Sequence, residues 1–410
     1  MRNLEKIKQI CSELKERLES KHITCFTNET IPVLLVSEHY NGVWMEHLYD
    51  SIFLAKMDPS KLFVAEGNVR FFIQKQTADG QLPCYIKDGH RVRCIPNEET
   101  GYFQIQECVS FARLCFEVYQ LNRDRAFLAE CYEACKKWDT WLRKNRMTTG
   151  RGLIEAFVGY DMGHDNSSRL DGFSCRGNYR KDGVRQNAAV LPPEDGITPM
   201  LATDMNCNFY ATQIALANMA KELARDSEAE AYLARAKEIK QNLFAQCFHR
   251  EDAFFYDVDK NGNQRKIRSC TIFHFFMEHV LDPEEDAALI DEIYHRYIKN
   301  PKEFWTPYPF PSTSVSDPAW RKNTKNNCWS YFSEGLLALR CTLWMDDYGY
   351  GEDLDCICEK WLDAWSACDD RFRCGQELDP ISGEPSDCSD NYTPTMLLYL
   401  YSAKRLGIIK

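Results

Sequence analysis

One pattern governs what this chain can fold into: apolar residues recur at helical spacing from end to end, and two very different kinds of connection join the segments. The periodicity predicts amphipathic helices over about 44–56, 61–76, 104–121, 125–145, 204–224, 227–246, 284–299, 328–343, 352–367 and 391–406. Some are joined by tight turns such as Leu121-Asn122-Arg123-Asp124 and Ala224-Arg225-Asp226-Ser227, whose aspartates suit helix N-caps. Others are separated by long polar loops rich in Gly, Pro, Asn and aromatics, over 77–103, 147–203, 300–327 and 369–391. Short connections make neighbouring helices antiparallel, so the expected unit is an α-hairpin. With short turns at one end and dressed loops at the other, the hairpins are expected to form an all-α toroid with one working face. No Ser/Gly-rich linker divides the chain, and 1–410 is expected to be a single domain.

One β element stands apart. Phe254-Phe255-Tyr256-Asp257-Val258-Asp259-Lys260-Asn261-Gly262-Asn263 alternates and then turns at Asn-Gly, a hairpin signal. The D-x-D-x-N-G wording also opens a calcium loop. Arg268 stands where such a loop needs a bidentate glutamate, so a minor β-hairpin is the expectation.

Composition narrows the partners. A net charge of −11 disfavours nucleic acid and an anionic membrane surface, and no apolar run is long enough to span a bilayer. The start, MRNLEKIKQICSELKERLES, is an amphipathic helix rather than a signal peptide. The 19 cysteines include no C-x-x-C pair and scatter through apolar segments, which fits reduced core residues in a cytoplasmic protein better than zinc or disulfides. The sequence carries no mark of oligomeric state.

The polar loops hold the chemistry. Gly159-Tyr160-Asp161-Met162-Gly163-His164-Asp165-Asn166-Ser167-Ser168-Arg169 is too polar to be a buried face, and Glu377 sits in RCGQELDPISGEPSD. Paired carboxyls from distant loops suit glycoside cleavage, in which one donates a proton and the other activates water. The chain's 9 tryptophans and 20 tyrosines, several in the same loops, could provide flat faces for a pyranose or simply pack the core. Asp165 in a D-N-S setting is equally a turn-capping residue, and Glu384 rivals Glu377.

The order of these segments resembles the inverting glycoside hydrolases of the (α/α)6-barrel clan, families 63 and 37, and most closely their single-domain members related to mannosylglycerate hydrolase. Tyr49-Asp50-Ser51-Ile52-Phe53 is similar to the family's W-D-S-F-F, and Asp161-Met162-Gly163-His164-Asp165-Asn166-Ser167-Ser168-Arg169 to its E-S-G-W-D-N-S-P-R. Trp320-Arg321 and Glu334-Gly335-Leu336 match the ends of W-R-G-P-x-W-x-x-x-N-Y-x-x-x-x-G-L, and Gln376-Glu377-Leu378-Asp379-Pro380 resembles H-E-x-Y-N-P. Five residues depart from the pattern, and the loop between Glu377 and Pro380 is one residue shorter. His164 replaces a tryptophan, Asp161 a glutamate, Lys322-Asn323 a Gly-Pro and Lys325 a second tryptophan.

The resemblance implies a six-hairpin glycosidase fold, Asp165 as general acid and Glu377 as general base. It also implies a small carbohydrate substrate, no metal and no cofactor. Asp50 would hold sugar hydroxyls, Asp161 would raise the pKa of Asp165, and His164, Arg169, Trp320 and Arg321 would contact substrate. The competing readings are a sugar epimerase or lyase on the same framework, or a sugar-binding protein without activity.

Overall fold

The computed structural model describes residues 2–38, 40, 42–88, 100–172, 187–193, 199–368, 373–386 and 391–410; parts of the predicted loops 77–103, 147–203 and 369–391 lie outside these. Among the described residues are twelve α-helices. They are α1 (Leu4–Arg17), α2 (Leu48–Met57), α3 (Leu62–Gln74), α4 (Phe111–Asn122), α5 (Arg125–Arg146), α6 (Thr203–Glu222), α7 (Asp226–Gln246), α8 (Ile272–Met277), α9 (Ala287–Ile293), α10 (Gly335–Arg340), α11 (Gly351–Ala367) and α12 (Thr393–Arg405).

Helix α5 shows how the sequence writes these elements. Asp124 caps it by accepting from the amides of Ala126 and Phe127, and Arg143, Lys144 and Arg146 place positive charge in its last turn. Its buried stripe runs Phe127, Leu128, Cys131, Tyr132, Cys135, Trp138 and Leu142. The second expected cap differs: Asp226 is the first residue of α7 and Arg225 holds the cap position, because Ala224 turns the chain with φ +59°.

The helices pair as hairpins α2/α3, α4/α5, α6/α7 and α11/α12. A second set of contacts links alternate helices: α2 packs on α4, α4 on α6, α6 on α8, and α10 on α12. Helix α8 touches the 3-10 turn Cys341–Leu343 that continues α10, and α12 returns to α2. The buried residues form one continuous apolar core. Among the described residues no helix is long and apolar enough to cross a membrane. The described cysteines are free thiols, most of them buried.

Three predicted helices are shorter than their periodicity implied. Residues 104–110 lead into α4 without helix, and residues 333–334 form a strand rather than the first half of α10. The predicted helix 284–299 divides into α9 and a π turn, Tyr294–Ile298. The β-hairpin is present: Asp257–Val258 pairs with Gln264–Arg265 around Gly262 at φ +89°. The Asp259 carboxylate there accepts from the amides of Asn261 and Asn263, an Asx turn. A three-stranded sheet (Gly42–Trp44, Tyr85–Lys87, Thr100–Gly101) was not anticipated.

Candidate active site

The side chains of the small sheet, of loop 159–169 (the acid loop, after Asp161 and Asp165) and of the segment before α10 converge on a cleft of about 330 Å³. Tyr40, Trp44, Tyr85, Tyr160, Trp329 and Tyr392 give it aromatic walls; Glu46, His47, Lys87, Gln104, Gln106, Asp165, Asn327 and Gln376 supply polar groups. A second cavity, about 280 Å³, lies among Lys15, Leu18, Leu54 and Leu400. Two of its lysines are bonded to other residues of its own lining, Lys61 to Glu19 and Lys404 to the Met57 carbonyl.

The acid loop is held from below. Asp161 is fully buried, and its carboxylate accepts from Arg146 Nη1 (2.6 Å) and Nη2 (3.2 Å) and from the amides of Ile105, Phe157 and Val158. It therefore belongs to the framework; it does not line the cleft, and its charge is matched by Arg146 rather than turned on Asp165. Gly163 has φ +72°, which strains any other residue, and a Cβ there would lie 2.7 Å from the Glu46 carboxyl and 2.8 Å from Cys108 Sγ and displace them.

Arg169 is also inside the protein. It pairs with Asp204 (2.6 and 2.9 Å) at the start of α6 and with Asp257 (2.8 and 3.1 Å), and it donates to His164 Nδ1 at 2.8 Å. A guanidinium only donates, so Nδ1 of His164 is the acceptor and Nε2 carries the proton. Burial, reinforced by the Arg169 charge, pushes the His164 pKa well below its ordinary value. The ring stacks on Trp329, centroids 4.4 Å apart, so the histidine that stands in the tryptophan position of the resemblance is a packed, neutral ring.

Asp165 is half-buried and lines the cleft. Asn327 donates to it through its side-chain amide (Nδ2 to Oδ2, 2.9 Å) and to Glu377 through its backbone N–H (2.8 Å). The same segment is laced to the acid loop by Trp329 N–H to Asp165 O and by Asn166 Nδ2 to Asn327 O. Asn166 and Asn327 both adopt positive φ, a conformation asparagine tolerates better than most residues.

Glu377 is fully buried and stands next to the cleft wall rather than on it. It lies on a two-residue strand whose register sets it opposite Glu334. Its carboxyl also accepts from Cys328 N–H (3.3 Å) and Ser386 Oγ (2.5 Å). Burial raises its pKa, while Ser386, Glu334 and the two amides pull it back. Glu334 is pushed well above its ordinary value by burial and then by the Glu377 charge. Of the two, Glu334 holds the proton.

Asp50 is buried behind His47 and Tyr392 of the cleft wall; its Oδ2 meets His47 Nδ1 at 3.1 Å, His47 Nε2 meets the Tyr392 hydroxyl at 3.2 Å, and Asp50 Oδ1 has no hydrogen-bond partner among the described residues. Trp320 stacks on Tyr331 (5.0 Å, 9°), and Arg321 is exposed and ion-paired with Asp171; neither lines the cleft. Sequence reasoning missed Glu46, His47, Lys87, Asn327 and the proton-holding Glu334. Only Glu334 had a signal, its position in the Glu334-Gly335-Leu336 match.

Helical hairpins and an aromatic-walled cleft lined by Glu46 and Asp165 are features of the six-hairpin glycosidase class. The structure of the mannosylglycerate hydrolase of glycoside hydrolase family 63 from Thermus thermophilus, in complex with glucose, has this fold, with TM-score 0.73, 15% identity and coverage of 96% of this chain and 99% of that one. The neutral trehalase of Saccharomyces cerevisiae matches with TM-score 0.67 and 14% identity, over 96% of this chain and 80% of that one. Residues 52–332 match the mannosylglycerate hydrolase MGH1-like glycoside hydrolase domain, and the chain belongs to that family. An uncharacterized protein of Borreliella burgdorferi is 34% identical over 92 residues, which span 22% of this chain and only 18% of that protein.

Proposed function

We propose that the protein is an inverting glycoside hydrolase acting on a small α-linked glucoside or mannoside, with Asp165 as general acid and Glu377 as general base. The observation that carries this reading is Asn327, which binds Asp165 through its side chain and Glu377 through its backbone, so both carboxyls answer to one residue of the cleft wall. Asp165 gives its proton to the glycosidic oxygen. Glu377 takes a proton from water as that water attacks the anomeric carbon from the opposite face, and the product anomer is inverted. The reading includes a closed (α/α)6 toroid, supported by the return of α12 onto α2, and a single domain over 1–410 in the cytoplasm.

The cleft also bears on the aglycone. Lys87 is the one Lys or Arg among the described residues that line it, and its ammonium lies 4.3 Å from the Tyr85 ring centroid and 4.9 Å from that of Trp44. A fixed cation beside an aromatic wall favours a sugar attached to a small carboxylic acid over a neutral disaccharide. A panel of α-glucosides and α-mannosides with acidic and neutral aglycones, read by NMR as product forms, tests the whole reading. The β-anomer is expected first, with acidic aglycones preferred. First appearance of the α-anomer would exclude inversion, and no turnover across the panel would exclude the activity.

The Glu334–Glu377 pair sets the acidic limb of the pH profile. Glu377 must be ionised to act, so activity rises with pH through its pKa. Glu334→Leu keeps the site apolar but removes the carboxyl that faces Glu377 across the strand pair and lowers its pKa. The acidic limb of kcat/KM is expected to move up by about one pH unit, and less in Glu334→Gln, which keeps a donor. A limb that stays in place in Glu334→Leu would remove Glu377 from the base role or Glu334 from its control.

A further inference from the structure

We infer that Gln376 is a positioning residue for the acid: it holds the Asn327 side chain so that N–H, and not oxygen, faces Asp165, which keeps the Asp165 proton available to the glycosidic oxygen. The inference rests on the glycosidase reading above and deepens it by naming the group that guards the transferable proton.

Three hydrogen bonds run in one sense along the cleft wall. The Tyr40 hydroxyl donates to Gln376 Oε1 (3.4 Å), Gln376 Nε2 donates to Asn327 Oδ1 (3.1 Å), and Asn327 Nδ2 donates to Asp165 Oδ2 (2.9 Å). All four residues line the cleft. The sense of the chain is set at its charged end, because an ionised carboxylate only accepts and the amide beside it must present N–H. The frame around it is fixed. Gln376 is 5% exposed and its carbonyl accepts from Gly335 N–H (2.9 Å). The Asn327 backbone is bonded on both sides, its N–H to Glu377 and its carbonyl to Asn166 Nδ2, each at 2.8 Å. What remains to be decided is which way round the Asn327 amide stands.

That choice matters once Asp165 takes up the proton it must give away. A protonated carboxyl can donate, and an Asn327 amide turned end for end would offer it an oxygen. The proton would then be spent on the cleft wall instead of the leaving group. Gln376 opposes the turn, since it would set N–H against N–H and leave Asn327 Oδ1 without its donor. To keep the wall bonded, Gln376 and the Tyr40 hydroxyl would have to reverse together with it. With Oδ2 accepting from Asn327, the proton belongs on Oδ1 of Asp165.

The test is the leaving-group dependence of turnover. Gln376→Met keeps the length of the side chain and removes the donor; Tyr40→Phe removes a single hydroxyl from the far end of the chain. On an alkyl α-glycoside Gln376→Met is expected to lower kcat/KM about 10-fold, the bias one hydrogen bond places on two orientations, and Tyr40→Phe less. On a nitrophenyl α-glycoside, whose leaving group needs no proton, both variants should stay near wild type. Adding Gln376→Met to Asp165→Asn should cost nothing more on the alkyl glycoside, because no proton is left to guard. Equal losses on both substrates, no loss on the alkyl glycoside, or a full further loss in the double variant would overturn the assignment and leave the glycosidase reading intact. Wild type without turnover on either substrate would remove that reading, and this inference with it.

Discussion

Asp165→Asn is expected to lower kcat/KM on an alkyl α-glycoside by about 10²- to 10⁴-fold, the usual contribution of a positioned proton donor. The substitution keeps the shape of the side chain and an oxygen able to accept from Asn327, so the cleft wall stays in place and only the transferable proton is lost. The loss should shrink sharply on an activated glycoside such as a nitrophenyl one, whose leaving group departs without protonation. Glu377→Gln should behave differently. Attack by water still needs a base, so its loss should be of similar size on both kinds of substrate. Steady-state kinetics of the two variants on the two substrates therefore separate acid from base. An Asp165→Asn enzyme with wild-type turnover on the alkyl glycoside would end the assignment.

What the sequence disclosed, and what it withheld, follows from which forces leave a local trace. Helices α4, α5, α7 and α11 each bury one face and turn the other towards solvent, an alternation visible in any window of the chain, whereas α6 and α12 are buried nearly all round. Helix α8 was missed because IFHFFM is six residues long and buried all round, leaving no polar face to mark a period. The periodicity over 104–110 and 328–334 misled for the opposite reason. Gln104 and Gln106 turn to the cleft, and Ser333–Glu334 pairs with Glu377–Leu378, both decided by distant parts of the chain.

The site followed the same rule. Asp165 and Glu377, the two carboxyls proposed for catalysis, stood in dense polar motifs, and Asn327 hydrogen-bonds both of them. Asp161 and Arg169 stood in the same motif, yet the structure gives them internal partners, Arg146 for one and Asp204 with Asp257 for the other. A cluster of charges marks a place where polar groups must be satisfied, but it does not say whether a ligand or the protein satisfies them. Glu46 and Lys87 were invisible because each is a single polar residue in an ordinary segment, brought to the cleft only by the 3-10 turn Met45–His47 and the strand Tyr85–Lys87.

That distinction makes Asp161 the position where a substitution should cost the fold most. Asp161→Ala removes the carboxylate partner of Arg146, whose guanidinium is fully buried, and orphans three backbone amides at once. Breaking a buried ion pair on one side typically destabilises by about 3–5 kcal/mol, because the remaining charge has no water to return to. Asp161→Asn should cost less, since its side-chain oxygen still accepts from the amides, though not as an anion for Arg146. Arg321→Ala is the control: its ion pair with Asp171 is exposed, and its loss should change stability by under about 1 kcal/mol. Denaturant unfolding of the three variants checks the order. Should Asp161→Ala unfold like wild type, Arg146 must find another partner, and the anchor of the loop that presents Asp165 would have to lie elsewhere. If the order holds, the loop's charge serves two separate ends. Asp161 and Arg169 fix the backbone so that Asp165, two residues beyond Gly163, is left at the cleft.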